Sequence, residues 1–111
     1  MAKKKAAKKK PRTGLEVGSY VIARTYSAGV FAGTLVSRDG REVVLSGARR
    51  LWRWVGAASL SELAVKGPGS LSESRFPAEV PTVLLTECIE LLPVSAEAQA
   101  RIAEVPIWTA R

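Results

Sequence analysis

The sequence predicts a small α+β domain: an antiparallel β-meander with two short helices, preceded by a disordered basic arm. Three observations carry this expectation. Between Val17 and Trp54 the chain is rich in β-branched and aromatic residues and is broken at Ala28-Gly29 and Asp39-Gly40, the pattern of strands joined by tight turns. Two serine-led segments further on carry helix-start signals. The first stretch of chain is lysine and alanine, closed by Pro11 and Gly14, and offers nothing to bury.

Taken in order, residues 1–14 form the arm and residues 15–111 a single α+β ligand-binding domain. Residues 19–26 contain Val21-Ile22 and read as the first strand. Residues 29–37 read as the second, with Gly33 marking a bulge or close packing. Asp39-Gly40 is a two-residue hairpin signal, because both residue types tolerate positive φ. Residues 41–46 return as a third strand, and residues 50–54 extend or follow the meander. Residues 57–65 form a short helix: Ser59-Leu60-Ser61-Glu62 fits the capping box, Leu60, Leu63 and Ala64 give an apolar face, and Gly67-Pro68-Gly69 ends it. A polar loop then runs to Arg75, where Phe76-Pro77 either anchors it or offers a stacking face. Residues 83–92 are apolar in both registers and read as one long strand covered on both faces. Ser95 caps a second helix over residues 95–104, and residues 105–111 leave it extended, with Trp108 packing back on the domain.

A chain of 111 residues allows one domain at most, and 47% hydrophobic content is that of a folded protein. No apolar run approaches a membrane span, and the basic N-terminus lacks the apolar segment of a signal peptide, so no membrane is expected. The single cysteine, Cys88, allows no internal disulfide and fits a small buried hydrophobe in a cytoplasmic protein.

The net charge of +7 is not spread over the chain. Residues 1–12 hold Lys3, Lys4, Lys5, Lys8, Lys9, Lys10 and Arg12 and no acid, whereas the remaining 99 residues carry ten basic and ten acidic side chains. The basic residues of the body are arginines except Lys66. A lysine run attracts polyanions diffusely and in a salt-sensitive way, while arginine forks in a neutral body suit recognition of particular oxygens.

Chemistry by histidine is excluded, because the chain has none. One cysteine builds no zinc site, the only aspartate lies in a turn, and no phosphate-loop or dinucleotide glycine fingerprint is present. No metal, cofactor or catalytic residue is expected, and the chain reads as a binder. The richest segment is Arg49-Arg50-Leu51-Trp52-Arg53-Trp54. Guanidinium forks match phosphate oxygens two at a time, and an indole is a flat face on which a base stacks. On a strand, Trp52 and Trp54 share one face, so a core role stays open for them, and Arg49 and Arg53 fit solvated rim charges equally. Arg24 and Tyr26 share a face of the first strand, and Tyr26-Ser27-Ala28-Gly29 adds hydroxyls and a backbone able to approach a ligand. Phe76 adds a π-face, and Arg111, at the chain end, a guanidinium able to reach a neighbouring subunit.

The strings Val21-Ile22-Ala23-Arg24-Thr25-Tyr26-Ser27-Ala28-Gly29-Val30-Phe31-Ala32-Gly33-Thr34-Leu35, Ala48-Arg49-Arg50-Leu51-Trp52-Arg53-Trp54, Gly56-Ala57-Ala58-Ser59-Leu60-Ser61, Phe76-Pro77, Leu85-Thr86-Glu87 and Val105-Pro106-Ile107-Trp108-Thr109 resemble, in this order, a family of small phage and prophage proteins. These are the first described type of Thoeris anti-defence sponges. The resemblance covers roughly residues 17–111. It implies a protein that binds cyclic ADP-ribose isomers made by bacterial TIR-domain immune enzymes and holds them without cleavage, in the cytoplasm of the infected host. It implies a symmetric homo-oligomer, a dimer or an assembly of dimers, with pockets near subunit interfaces, and in some members separate sites for cyclic oligonucleotides. It carries ligand contact onto Arg24, Arg50, Phe76 and Arg111, with Arg49 and Trp52 beside them. The lysine arm lies outside the family pattern, and Val55 stands where some relatives have an acidic residue, which bears on ligand identity. Two other functions stay open from the residues alone. One is a small basic phage protein contacting nucleic acid weakly through the arm lysines, and the other is a structural or assembly module anchored by its Trp and Arg residues.

Overall fold

The computed structural model describes residues 12–110. Most of the basic arm, residues 1–11, and Arg111 lie outside the described residues. The chain adopts the expected class, a compact α+β domain with an antiparallel sheet and two helices.

The strands are β1 (Tyr20–Thr25), β2 (Val30–Asp39), β3 (Glu42–Arg50), β4 (Arg53–Val55), β5 (Ser70–Arg75), β6 (Glu79–Leu85) and β7 (Cys88–Pro93), and the helices are α1 (Leu60–Lys66) and α2 (Ala96–Glu104). Five strands form one sheet in the order β6-β3-β2-β1-β7, and β4 and β5 form a separate pair. The β2–β3 hairpin is where the sequence puts it, displaced by one residue. Asp39 still pairs with Glu42, so the turn residues are Gly40-Arg41, and Gly40 supplies the positive φ of +62°.

β6 and β7 occupy opposite edges of the sheet yet are joined only by Thr86-Glu87. A two-residue link can connect opposite edges only if the sheet curls toward closure. The core agrees: Val21, Ala23, Phe31, Leu35, Val43, Leu45, Ala48, Leu85 and Cys88 come from all five strands and bury one another. No helix residue belongs to this cluster, so the sheet covers its own concave face. The corner is pinned where Cys88 N donates to Arg41 O at 3.0 Å. The expected single strand over residues 83–92 is therefore two strands, and both registers are apolar because the chain turns a corner between them.

The convex face carries the second core. Ile22 and Ala32 of the sheet pack with Leu51, Leu63, Ala64, Phe76, Ile102 and Val105, with Trp54 and Leu71 partly buried against them. Here the expected polar loop before Arg75 proves to be β5, paired with β4. Residues 53–55 thus leave the meander and start a second small sheet. That pair ends where two glycines touch: a Cβ on Gly56, which has φ +92°, would lie 2.5 Å from Gly69 Cα.

Both helices start on the expected serines. Ser59 Oγ accepts from Glu62 N at 3.1 Å, while Glu62 Oε1 accepts from Ala58 N at 2.8 Å, one residue beyond the capping-box position. Ser95 Oγ accepts from Ala98 N at 3.0 Å and donates to Val65 O at 2.5 Å, so one hydroxyl caps α2 and ties it to α1. Among the described residues, no helix is long and apolar enough to cross a membrane.

Candidate functional site

At the end of the sheet that carries the β1–β2 turn, a cleft of about 490 Å³ lies between that turn and the chain leaving β3. Ser27, Ala28, Gly29 and Val30 form one wall, and Arg50, Leu51, Trp52 and Trp54 the other. None of these lining residues is acidic.

Strand register explains the second wall. Arg50 pairs across from Phe31, and Leu51 N extends the ladder by donating to Val30 O at 2.8 Å. On β3, Ala48 joins the concave core while Leu51 joins the convex one. By alternation Arg50 falls on the concave side and Arg49 on the convex side. Arg50 therefore stands at the mouth of the curl, its guanidinium 4.6 Å from the Phe31 ring centroid. That contact holds the fork by its face and leaves its edge N–H groups free for a ligand. Among the described residues the only ion pair is Arg24–Glu90, so Arg50 is not neutralised by a carboxylate of the domain.

Arg49 has a different role from the one expected. It is 6% exposed, and its guanidinium donates to four backbone carbonyls: Pro77 O at 3.2 Å, Ile102 O at 2.9 Å, Phe76 O at 3.1 Å and Val105 O at 2.7 Å. It closes the C-terminal end of α2 and fastens the segment after β5 to the sheet. Burial lowers its pKa from the ordinary arginine value. Phe76 is likewise corrected. It is fully buried in the convex core, with Arg49 stacked 5.5 Å from its centroid, and offers no face to a ligand. It is the anchor alternative of the two readings of Phe76-Pro77. Arg111 lies outside the described residues.

Of the remaining expected residues, Trp52 lines the cleft, whereas Arg24 and Tyr26 precede its β1–β2 wall in the chain without lining it. Trp52 is 56% exposed. Tyr26 is exposed at the base of the β1–β2 turn, where its N donates to Glu87 O at 2.9 Å. Arg24 pairs across from Val30, a lining residue, and its Nε donates to Glu90 Oε1 at 2.7 Å with both side chains solvent-exposed. The turn is braced internally: Thr25 Oγ1 donates to Gly29 O at 2.7 Å and accepts from Ala28 N at 2.8 Å. Externally, Ser27 Oγ donates to Glu87 Oε1 at 2.6 Å. Arg24, Tyr26, Arg50 and Trp52 thus gather at one end of the sheet, while Arg49 and Phe76 are core.

Three contributors were not assigned to the site by sequence. Phe31 is the platform under Arg50. Trp108 stacks on Trp52 with ring centroids 4.8 Å apart and planes inclined by 21°. Arg75 lies over the Trp108 ring, 5.5 Å from its centroid. The pairing of Phe31 with Arg50 depends on a bulge between Ala32 and Thr34, which pattern alone does not locate. A second cavity, of about 310 Å³, lies over the convex face between Tyr20, Arg49, Glu79 and α2. Burial pushes the Tyr20 phenol there up to about 12.

A family model described as Domain of unknown function (DUF6948) matches residues 18–102. No curated protein and no solved structure matches the chain.

Proposed function

Because the chain belongs to the DUF6948 family, whose description attaches no activity, its function has to be read from its own residues, and we propose that it is a phage anti-defence sponge. It binds cyclic ADP-ribose isomers, or cyclic oligonucleotides, and withholds them intact from the host's immune effectors. The observation that carries this reading is the cleft holding an ion-pair-free Arg50, braced on Phe31, beside the exposed indole of Trp52. A phosphate meets the guanidinium fork in charge-assisted hydrogen bonds, and an adenine stacks on the indole. Ser27 to Val30 supply a short wall whose backbone approaches the ligand closely. The volume is in the range of small-molecule sites, and sequestration needs affinity but no chemistry. Such a protein works in the cytoplasm of the infected cell, as a homo-oligomer.

The test is a titration of indole fluorescence with cyclic ADP-ribose isomers. The wild-type chain is expected to saturate. Arg50→Ala is expected to weaken binding by at least about tenfold, the scale of one charge-assisted hydrogen bond, while still unfolding cooperatively, with a midpoint lowered by no more than about 8 °C. Equal affinity in the two proteins would remove Arg50 from the site.

One observation favours a second activity alongside this one. Seven positive charges without an acid in residues 1–12, on a body that is formally neutral, suit weak contact with nucleic acid. That affinity is expected to fall steeply with salt and to vanish when residues 1–12 are deleted.

A further inference from the structure

Trp52 does not stand alone at the cleft. Its indole is stacked against Trp108, which comes from the segment after α2, and Arg75 of β5 lies over the Trp108 ring. Arg75, Trp108 and Trp52 therefore form a ladder of flat groups built from three separate parts of the chain. Both indoles keep part of their surface in water, and stacking on Trp108 restrains the plane of Trp52. The segment that brings Trp108 here is itself fixed: Ile107 bridges to Phe76 in parallel, and Trp108 N donates to Phe76 O at 3.1 Å. Phe76 in turn is fully buried and shares its carbonyl with Arg49. The position of the Trp108 ring is thus referred back to the core.

We propose that this ladder is a preset stacking platform for the aromatic heterocycle of the ligand, and that Trp108 is the positioning residue that sets the angle of Trp52. The inference rests on the cleft being the ligand site and extends it to a segment outside the cleft's own lining. The ligand class is a flat purine-type ring carrying a phosphate. The phosphate meets Arg50, and the ring continues the ladder on the face of Trp52 away from Trp108. The Arg75 guanidinium over the Trp108 ring adds a cation–π contact that holds that ring in place. Ring affinity then depends on the C-terminal segment being docked, although that segment does not line the cleft.

The experiment compares the full-length wild-type chain with Trp108→Ala and Trp108→Phe. The probes are a cyclic ADP-ribose isomer and ribose 5-phosphate, which has the phosphate without the ring. Stacked indoles couple their transitions, so circular dichroism in the far-ultraviolet indole band reports the ladder directly. Trp108→Ala is expected to lose the coupled signal and to weaken cyclic ADP-ribose binding about tenfold or more, the scale of one base–aromatic stack. Ribose 5-phosphate binding is expected to stay within about twofold, and Trp108→Phe to restore most of the affinity. Equal weakening of both probes would mean a general structural role and overturn the platform. Unchanged cyclic ADP-ribose affinity in Trp108→Ala would also overturn it, while leaving the cleft reading intact. Failure of the wild-type chain to bind either probe would overturn cleft and platform together, whereas binding both probes equally would overturn the platform alone.

Discussion

At the scale of single residues, neighbouring arginines have been given opposite jobs by one step of strand alternation. Arg49 faces the convex core and is consumed by four carbonyls, whereas Arg50 faces the mouth of the curl and rests on Phe31. Substitution separates them. Arg49→Ala strands several buried carbonyls and opens a hole beside Phe76, so it is expected to cost roughly 2–4 kcal/mol in a denaturant melt. Arg49→Lys is not expected to rescue it, because an ammonium has no planar fork to span carbonyls from two segments. Arg50→Ala is expected to cost under about 1 kcal/mol, the worth of a cation–π contact. Sequence pointed to the Arg49–Trp54 segment as the working part of the chain but could not divide it. A bulge between Ala32 and Thr34 sets which arginine faces out, and bulges depend on packing across strands. Phe76 misled for a related reason. An aromatic next to proline inside a polar stretch looks exposed until Arg49 and α2 are seen to lie over it.

Tyr20 gives the same scale a pH signature. Its phenol ionises at about 12 in the folded chain against an ordinary 10.0, because burial disfavours the phenolate. Below the ordinary value both states keep the proton and the contribution is fully present. As pH rises from 10.0 toward 12 the unfolded chain loses its proton first, so stability falls across that window. Tyr20→Phe is expected to flatten this part of the stability profile, measured by denaturant melts at stepped pH. A wild-type profile that is already flat between those values would contradict the burial of the phenol.

At the scale of elements, those with capping or turn chemistry were legible and those defined by tertiary pairing were not. Both helices and the β2–β3 hairpin begin or turn within a residue of their signals. β5 was invisible because Ser70–Arg75 is polar, and a strand paired only with three-residue β4 needs little apolar character. The break between β6 and β7 was invisible because Thr86-Glu87 is no turn signal; closure of the sheet makes the corner. The element most worth testing is the Ser95 junction. Ser95→Ala removes the α2 cap and the tie to Val65 O together, and is expected to cost about 1–2 kcal/mol, whereas Ser59→Ala, a cap alone, should cost about 1 kcal/mol. A larger loss at Ser59 would show that the α1–α2 tie carries no stability.

At the scale of the whole molecule, the domain is a sheet curled on its own concave core, with helices and a small second sheet on its convex side. At one end of that plan the β1–β2 turn, the exit of β3 and the C-terminal segment converge. Fold class was readable because strand and helix signals are local. The cleft was half readable: its lining is contiguous in two stretches of sequence, but Trp108 and Arg75 arrive only through the fold. The charge of the chain separates in the same way, with the excess confined to residues 1–12. Ligand binding by the cleft is therefore expected to depend only weakly on salt, while any nucleic-acid affinity should fall with log salt at a slope set by the arm's lysines.

The chain is proposed to hold a cyclic nucleotide signal and return it unchanged. The decisive measurement is calorimetric titration of the full chain with cyclic ADP-ribose isomers and cyclic di- and trinucleotides, followed by heat release and chromatography of the ligand. Saturable, tight binding to at least one of them, with that ligand recovered intact, is the expected result. No binding to any of them, or recovery of a cleaved product, would contradict it.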